Sequence, residues 1–162
     1  MAMSWQIEVT SLEETEALGR RLGHLLFAGA VVSLEGPLGA GKTHLVRALA
    51  QGLGIGDPRQ VSSPTFVLIQ EYEARLPIYH FDAYRLRSGQ EFLDLGVHEY
   101  FAGQGACLVE WGDKVRDCLP REYLQIAIEI IGPSARRLLL VGHGAAYQDL
   151  IEKLKTALER EE

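Results

Sequence analysis

Residues 31–43 have the sequence VVSLEGPLGAGKT, a short apolar run that leads into a glycine-rich segment. Its second part, residues 36–43, satisfies the pattern G-x-x-x-x-G-K-[ST], which is known as the P-loop. Apolar residues then recur at helical spacing from Leu45 to Leu53, and Gly54 is a suitable stop signal. The stretch therefore predicts a buried strand, a glycine-rich turn and a helix, in that order.

The chemistry of polyphosphate binding explains this spacing. A polyphosphate needs several converging backbone N–H donors, and glycines allow conformations and close approaches that a Cβ would obstruct. The helix N-terminus adds further N–H groups and a favourable dipole. Lys42 supplies a compact positive charge for the β- and γ-phosphates, and Thr43 offers a hydroxyl to Mg²⁺. The predicted binding residues are Gly36, Leu38, Gly39, Ala40, Gly41, Lys42 and Thr43.

The rest of the chain alternates strand-like runs with amphipathic segments. Strand patterns lie at residues 5–9, 31–34, 66–72, 78–81, 106–109, 124–130 and 137–141, and helical patterns lie at 11–26, 45–53, 88–101 and 147–158. Ser11 and Glu14 form a capping-box pattern at the first helix. This alternation predicts an α/β fold. We expect a three-layer α/β/α sandwich of the P-loop NTPase type, with a mixed, largely parallel central sheet and antiparallel strands near the C-terminus.

Length and charge restrict the possible functions. A chain of 162 residues suits one domain spanning 1–162, since domains usually contain roughly 100 to 200 residues. Apolar residues make up 47% and charged residues 23%, as in ordinary globular proteins. The net charge is −6, from 16 basic and 22 acidic residues. A protein that binds nucleic acid by itself usually has a basic surface, so we expect another protein to hold any RNA that this chain serves.

No sequence pattern suggests a membrane or an oxidising compartment. The longest uncharged apolar stretch, residues 22–34, is too short to span a bilayer, and no signal peptide pattern is present. Cys107 lies in an apolar run, and with Cys118 it makes neither a disulfide framework nor a metal-binding pair. The expected compartment is the cytoplasm.

Two acidic residues stand at the ends of predicted strands. Asp82 follows the run 78–81, and Glu110 follows the run 106–109. The carboxyl ends of strands in open α/β sheets converge on the ligand crevice, so both carboxylates are expected near the phosphates. One can hold the metal while the other orients the attacking water. The alternative is that each simply ends a strand in solvent.

Further residues are weaker candidates. The segment 63–66 could carry a switch threonine, Thr65, that senses the γ-phosphate, although a Ser-Pro turn before a strand is the simpler interpretation. Arg85 could stabilise phosphate charge or form a surface ion pair. A lone histidine such as His80 in a β run is more often structural. Trp111 could pack in the core or contact a nucleotide or partner.

Four elements together resemble the TsaE (YjeE) family of bacterial ATPases, which act in the synthesis of tRNA threonylcarbamoyladenosine. They are the P-loop at 36–43, Ser-Pro-Thr-Phe at 63–66, His-Phe-Asp-Ala-Tyr-Arg at 80–85 and Glu-Trp at 110–111. The resemblance spans about residues 31–111. It implies a compact P-loop ATPase that uses ATP and Mg²⁺ and works with TsaB and TsaD. In that system TsaD transfers the threonylcarbamoyl group to N6 of adenosine 37 in tRNAs that read codons beginning with A, so tRNA is met mainly through the complex.

The resemblance also implies roles for individual residues. Lys42 binds phosphate, Thr43 and Glu110 ligate Mg²⁺, Thr65 lies on a switch-like loop, and Asp82 is an essential acid that either orients water or supports the metal. The catalytic candidates are thus Asp82, Lys42 and Thr65. One departure is Pro37, where an acidic residue is common in the family; its side chain is expected to point away from the phosphates.

Two other functions use the same phosphate-binding loop. A small-molecule kinase would need an acceptor pocket and often an arginine-rich lid; Arg85 and Arg87 are close, but no long segment of that kind is present. A nucleotide-dependent binding module with little hydrolysis cannot be separated from an ATPase by sequence, because hydrolysis depends on the exact position of a water. The start of the first helix and the turn at 132–136 are candidate contacts for the adenine base.

Overall fold

Within the described residues, strands and helices occur close to where the sequence patterns predict them; the strand expected at 66–72 is observed from Ile69, and its residues 66–67 lie outside the described residues. The computed structural model describes residues 2–62 and 68–160. The strands are β1 (Met3–Val9), β2 (Val31–Glu35), β3 (Ile69–Tyr72), β4 (Ile78–Asp82), β5 (Ala106–Glu110), β6 (Tyr123–Ile130) and β7 (Arg136–His143). The α-helices are α1 (Leu12–Leu25), α2 (Lys42–Gly52), α3 (Gly89–Leu93), α4 (Val97–Phe101) and α5 (Ala145–Glu159), and 3-10 turns cover Pro58–Gln60 and Gly112–Cys118.

All the described strands belong to one mixed sheet. Its seven strands lie in the order β1-β7-β6-β2-β5-β4-β3. The central strands β6, β2, β5 and β4 run parallel to one another, whereas β1, β7 and β3 pair antiparallel with their neighbours. This arrangement confirms the predicted α/β fold with antiparallel strands near the C-terminus. Strands β3 and β4, which are neighbours in the chain, pair as an antiparallel hairpin.

Helices cover both faces of the sheet. Successive residues of β5 alternate between two apolar clusters: Leu108 packs in the cluster that includes Leu49 of α2, and Val109 packs in the cluster that includes Phe92 of α3. Helices α1, α2 and α5 line the first face, while α3, α4 and the 3-10 turn after β5 line the second. Burial on both faces explains why the central strands are almost continuously apolar.

The N-terminal cap of α1 differs slightly from the predicted capping box. The Ser11 side chain accepts a hydrogen bond from the backbone N–H of Glu14 at 3.2 Å, as predicted. The Glu14 carboxylate, however, accepts from the N–H of Thr10 at 2.8 Å, one residue before the cap. Both bonds satisfy donors at the start of the helix, so α1 begins at the position that the sequence indicates.

The strand register brings three chain segments together at one edge of the sheet. In the parallel pair β4–β5, Asp82 lies opposite Glu110, and in the pair β2–β5, Leu34 also lies opposite Glu110. The glycine-rich loop follows β2 directly and leads into α2. The loop and both predicted carboxylates therefore meet where the central parallel strands end. No helix in the described ranges has the length and apolar character needed to cross a bilayer.

Candidate functional site

The loop between β2 and α2 has an open, concave side. Gly39 and Gly41 have φ angles of 82° and 102°, and a Cβ built on either would meet no heavy atom within 4 Å. The space that such side chains would fill is therefore free for a ligand, and the backbone there adopts a left-handed conformation that favours glycine. Gly41 directly precedes α2, so the exposed N–H groups of the helix N-terminus border the same space.

A cavity of about 460 Å³ lies against this loop. It is lined by Leu38, Gly39, Gly41, Lys42, Thr43, His44, Asp82, Tyr84, Arg85, Glu110 and Trp111. The structure thus gathers most of the predicted site residues in one place. Gly36 and Ala40 belong to the loop but do not line the cavity, and the Ser-Pro-Thr-Phe segment with Thr65 lies outside the described residues.

Lys42 is buried at the base of the loop and is held by the loop itself. Its Nζ donates hydrogen bonds to the carbonyl oxygens of Gly36 at 2.7 Å and Pro37 at 2.9 Å. Burial lowers the pKa of Lys42, and the nearby carboxylates of Glu110, Asp113 and Asp82 partly oppose that shift. Among the residues that the structure describes, no carboxylate lies within hydrogen-bond distance of this ammonium group, so an anion in the cavity would supply the opposite charge.

Thr43 and Glu110 form a pair of hard oxygen donors on the cavity wall. The Thr43 Oγ1 hydroxyl donates to Glu110 Oε1 at 2.9 Å and lies 3.2 Å from Oε2. Glu110 is only 3% exposed, so its carboxylate is fixed mainly by protein contacts. Carboxylate and hydroxyl oxygens are ligands that Mg²⁺ accepts, and Mg²⁺ sites commonly use one or two carboxylates together with substrate phosphates. These two residues therefore fit the predicted metal site.

His80 is completely buried and lies behind Glu110. Its Nε2 is 2.5 Å from Glu110 Oε2. The sequence interpretation of His80 as structural gives no hint of this contact. The register of β4 and β5 is the signal that could have revealed this contact. Residue 80 lies opposite residue 108, and residue 82 lies opposite residue 110. Because side chains alternate along a strand, His80 and Glu110 then lie on the same face of the sheet.

Asp82 and Trp111 also line the cavity. Asp82 Oδ1 accepts a hydrogen bond from the N–H of Tyr84 at 2.9 Å, which fixes the turn after β4. Trp111 is the one non-glycine residue in the described chain with a positive φ, at 60°. Its ring lies 3.8 Å from Lys42 Nζ and 4.9 Å, between centroids, from the ring of Tyr84. Trp111 therefore contacts the site, and Arg85 also lines the cavity.

A second cavity of about 280 Å³ adjoins the first. It is lined by Leu12, Thr15, Gly39, Ala40, Gly41, His44, Pro133, Ser134 and Arg136. Arg136 Nε donates to the carbonyl oxygen of Ala40 at 3.0 Å, which ties the turn at 132–136 to the loop. The start of α1 and this turn, both candidates from the sequence for contacts with the base, thus lie beside the loop on the side away from Asp82 and Glu110.

Comparisons with known proteins show the family of this chain. A family model described as "Threonylcarbamoyl adenosine biosynthesis protein TsaE" matches residues 9–138. A Bacillus subtilis protein named "tRNA threonylcarbamoyladenosine biosynthesis protein TsaE" is 46% identical over 143 residues, which cover 88% of each chain. A Treponema pallidum protein of the same name is 41% identical over 128 residues, covering 79% of this chain and 93% of its own. The crystal structure of Bacillus subtilis YdiB superposes with a TM-score of 0.81 at 36% identity and covers 97% of both chains. The chain therefore belongs to the TsaE family.

Proposed function

We propose that this protein is a Mg²⁺-dependent ATPase that supports the threonylcarbamoylation of N6 of adenosine 37 in tRNAs reading codons that begin with A. The observation that carries the proposal is the contact between Thr43 and Glu110 beside the open loop that holds Lys42. Relatives that are 46% and 41% identical bear names that assign them to tRNA threonylcarbamoyladenosine biosynthesis. Loop, hydroxyl and carboxylate together are the parts that a triphosphate and its metal require.

Each side chain has a distinct task in this proposal. Lys42 exchanges its contacts with the carbonyls of Gly36 and Pro37 for the β- and γ-phosphates. Thr43 and Glu110 would hold Mg²⁺, which neutralises charge on the phosphates when it is bound. Asp82, in register with Glu110 on the neighbouring strand, accepts a hydrogen bond from the attacking water and orients it.

The second cavity is the proposed site for the adenine base. It shares Gly39, Gly41 and His44 with the phosphate cavity and continues between the start of α1 and the turn at 132–136. Arg85 lies on the other side, where it can stabilise charge that develops on the γ-phosphate. The nucleotide would therefore extend along the loop from Ser134 towards Asp82.

TsaB and TsaD are the proposed protein partners, and the complex would hold the tRNA in the cytoplasm. The net charge of −6 supports the proposal that the partners hold the tRNA, because binding to the phosphate backbone of a nucleic acid depends on basic residues. Hydrolysis by this chain would serve repeated turnover, whereas TsaD would make the modification itself.

Phosphate release from ATP tests the proposal. The purified chain should release phosphate only when Mg²⁺ is present, and release should rise when TsaB, TsaD and tRNA are added. Transfer of the γ-phosphate to a small acceptor would identify a kinase instead. Tight MgATP binding without release, alone or with the partners, would identify a nucleotide-dependent binding module.

A further inference from the structure

A chain of polar contacts leads from the candidate metal site into the core of the sheet and ends on residues with no task in the proposed hydrolysis. We propose that His80 is a positioning residue that fixes the Glu110 carboxylate in the orientation in which it binds Mg²⁺ or a Mg²⁺-bound water. This inference rests on the proposed function, since it assigns a role within the same site.

The direction of the hydrogen bond follows from the donor and acceptor groups. The form of Glu110 that binds a metal is an ionised carboxylate, which can only accept a hydrogen bond, so in that form the 2.5 Å contact between His80 Nε2 and Glu110 Oε2 places the proton on Nε2. The other ring nitrogen, Nδ1, lies 3.5 Å from the hydroxyl of Tyr72, which also contacts Gln70. Both ring nitrogens therefore face polar groups, although the imidazole is completely buried.

Two donors thus contact the carboxylate, and the Thr43 hydroxyl lies near both of its oxygens. Thr43 donates to Oε1 at 2.9 Å, and His80 donates to Oε2. The terminal torsion of a glutamate side chain has a broad energy profile, so the carboxylate plane is set by such contacts rather than by the side chain itself. Each oxygen accepts more than one hydrogen bond or metal contact, so these bonds leave lone pairs for a cation.

Strand pairing makes His80 a rigid support. His80 is in β4 and Glu110 is in β5, and these two strands pair in parallel from Ile78 to Asp82. A contact between adjacent strands keeps its geometry better than a contact between loops. Groups that orient metal ligands in this way typically change metal affinity by about 10- to 100-fold when they are removed.

A purely structural histidine would behave differently. Its removal would lower the stability of the fold and weaken nucleotide binding to the same extent with and without metal. A positioning role instead requires a loss that depends on Mg²⁺ and that returns when a donor is restored at the position of Nε2.

Three variants separate these possibilities. His80→Phe keeps a ring of similar size and removes the donor, and His80→Gln returns an amide N–H at a similar reach. The matched control is His98→Phe, because His98 is exposed on α4. The measurement is the affinity for a fluorescent, non-hydrolysable ATP analogue, in EDTA and along a Mg²⁺ titration.

We expect His80→Phe to raise the half-saturating Mg²⁺ concentration by about 10-fold or more, while its affinity in EDTA stays within about twofold of the unmodified chain. His80→Gln should recover most of the loss, and His98→Phe should show none. An unchanged Mg²⁺ titration for His80→Phe, equal losses with and without Mg²⁺, or a glutamine variant no better than phenylalanine would each overturn the inference.

Two further outcomes keep the test decisive. If His80→Phe does not fold, the comparison is between His80→Gln and His80→Asn, whose shorter amide cannot reach Glu110. The inference then stands only if the glutamine variant binds Mg²⁺ more tightly than the asparagine variant. If the unmodified chain binds the analogue without any response to Mg²⁺, the proposed function itself fails, and the inference fails with it. A normal Mg²⁺ response of the unmodified chain with an unaffected His80→Phe variant rejects only the inference.

Discussion

Lys42 is a buried positive charge that depends on two loop carbonyls for its hydrogen bonds. We expect Lys42→Ala to weaken MgATP binding by about 10- to 100-fold, since hydrogen bonds to charged groups contribute about 1.5–3 kcal/mol each. Calorimetric titration measures this loss. The matched control is Lys153→Ala, an exposed lysine on α5 that pairs with Asp149. Unchanged affinity of the Lys42 variant would contradict a phosphate-binding loop.

The pH dependence of stability provides a second test of Lys42. Burial lowers the pKa of Lys42 in the folded chain below the ordinary lysine value of 10.5. At pH values between the lowered pKa of the folded chain and 10.5, the unfolded chain therefore binds more protons than the folded chain. Stability then rises with pH in that window. We expect the free energy of unfolding of the unmodified protein, relative to Lys42→Ala, to increase as the pH is raised towards 10.5. If the difference in the free energy of unfolding between the unmodified protein and Lys42→Ala did not change with pH, burial would not lower the pKa of Lys42. Denaturant unfolding of both proteins across the pH range measures this difference.

Asp82 and Glu110 are in register on neighbouring strands, and we propose different tasks for them. Asp82→Asn keeps an oxygen that can accept the bond from Tyr84 N, while it removes the charge and replaces the other carboxylate oxygen with an NH₂ donor. We expect kcat for ATP hydrolysis to fall by about 10²- to 10⁴-fold, the usual size of an acid–base contribution, with KM changed only a few-fold. Glu110→Ala should instead raise the Mg²⁺ requirement. If Asp82→Asn reduced MgATP binding as much as it slowed turnover, Asp82 would be a metal ligand.

The sequence predicts which residues meet around the cavity where those residues are contiguous or end a strand. The glycine-rich loop was found because its spacing is local, and the two acids were found because parallel strands end at one edge. The bond between His80 and Glu110 could not be found in this way, since it depends on which residue of β4 faces which residue of β5. That register is not encoded in either strand separately.

Helices α1 and α2 cross where their backbones nearly touch. A Cβ at Gly52 would lie 2.1 Å from the carbonyl oxygen of Arg20 and 2.8 Å from the Cα of Gly23. We expect Gly52→Ala to destabilise the fold by about 1–3 kcal/mol, because overpacking outweighs the gain of up to about 1 kcal/mol in helix propensity. Urea denaturation measures the difference. Gly56→Ala, where a Cβ meets nothing within 4 Å, should change stability little. Equal stability of both variants would show that the helices can separate without cost.

At the scale of elements, the existence of strands was predictable and their partners were not. Alternation in residues 5–9 identifies β1, but nothing in that run indicates pairing with β7, which lies at the far end of the chain. The central strand β2 is buried on both faces, so its apolar residues cannot specify a register by polarity. The topology therefore arises from how all the helices and strands pack together.

At the scale of the whole molecule, the candidate site contains cationic side chains although the chain carries a net charge of −6. The parallel strands β2, β4 and β5 bring the loop, Asp82 and Glu110 to one edge, whereas acidic residues exceed basic ones by 22 to 16 over the chain. The cationic side chains that line the candidate site, Lys42 and Arg85, therefore do not make the protein basic as a whole.

This charge balance predicts weak binding of tRNA by the isolated protein. Non-specific affinity for nucleic acid comes mostly from phosphate contacts, with Kd values of about 10⁻⁴–10⁻⁶ M at physiological salt for proteins that make them. With a net charge of −6, we expect labelled tRNA to bind the chain more weakly than this range, and to be retained only when TsaB and TsaD are present. Fluorescence polarisation at about 50 and 200 mM salt measures both cases, with the partners alone as the control. Micromolar binding by the chain alone, lost steeply as salt rises, would reveal a local basic surface that the net charge conceals, and would assign part of the tRNA contact to this protein.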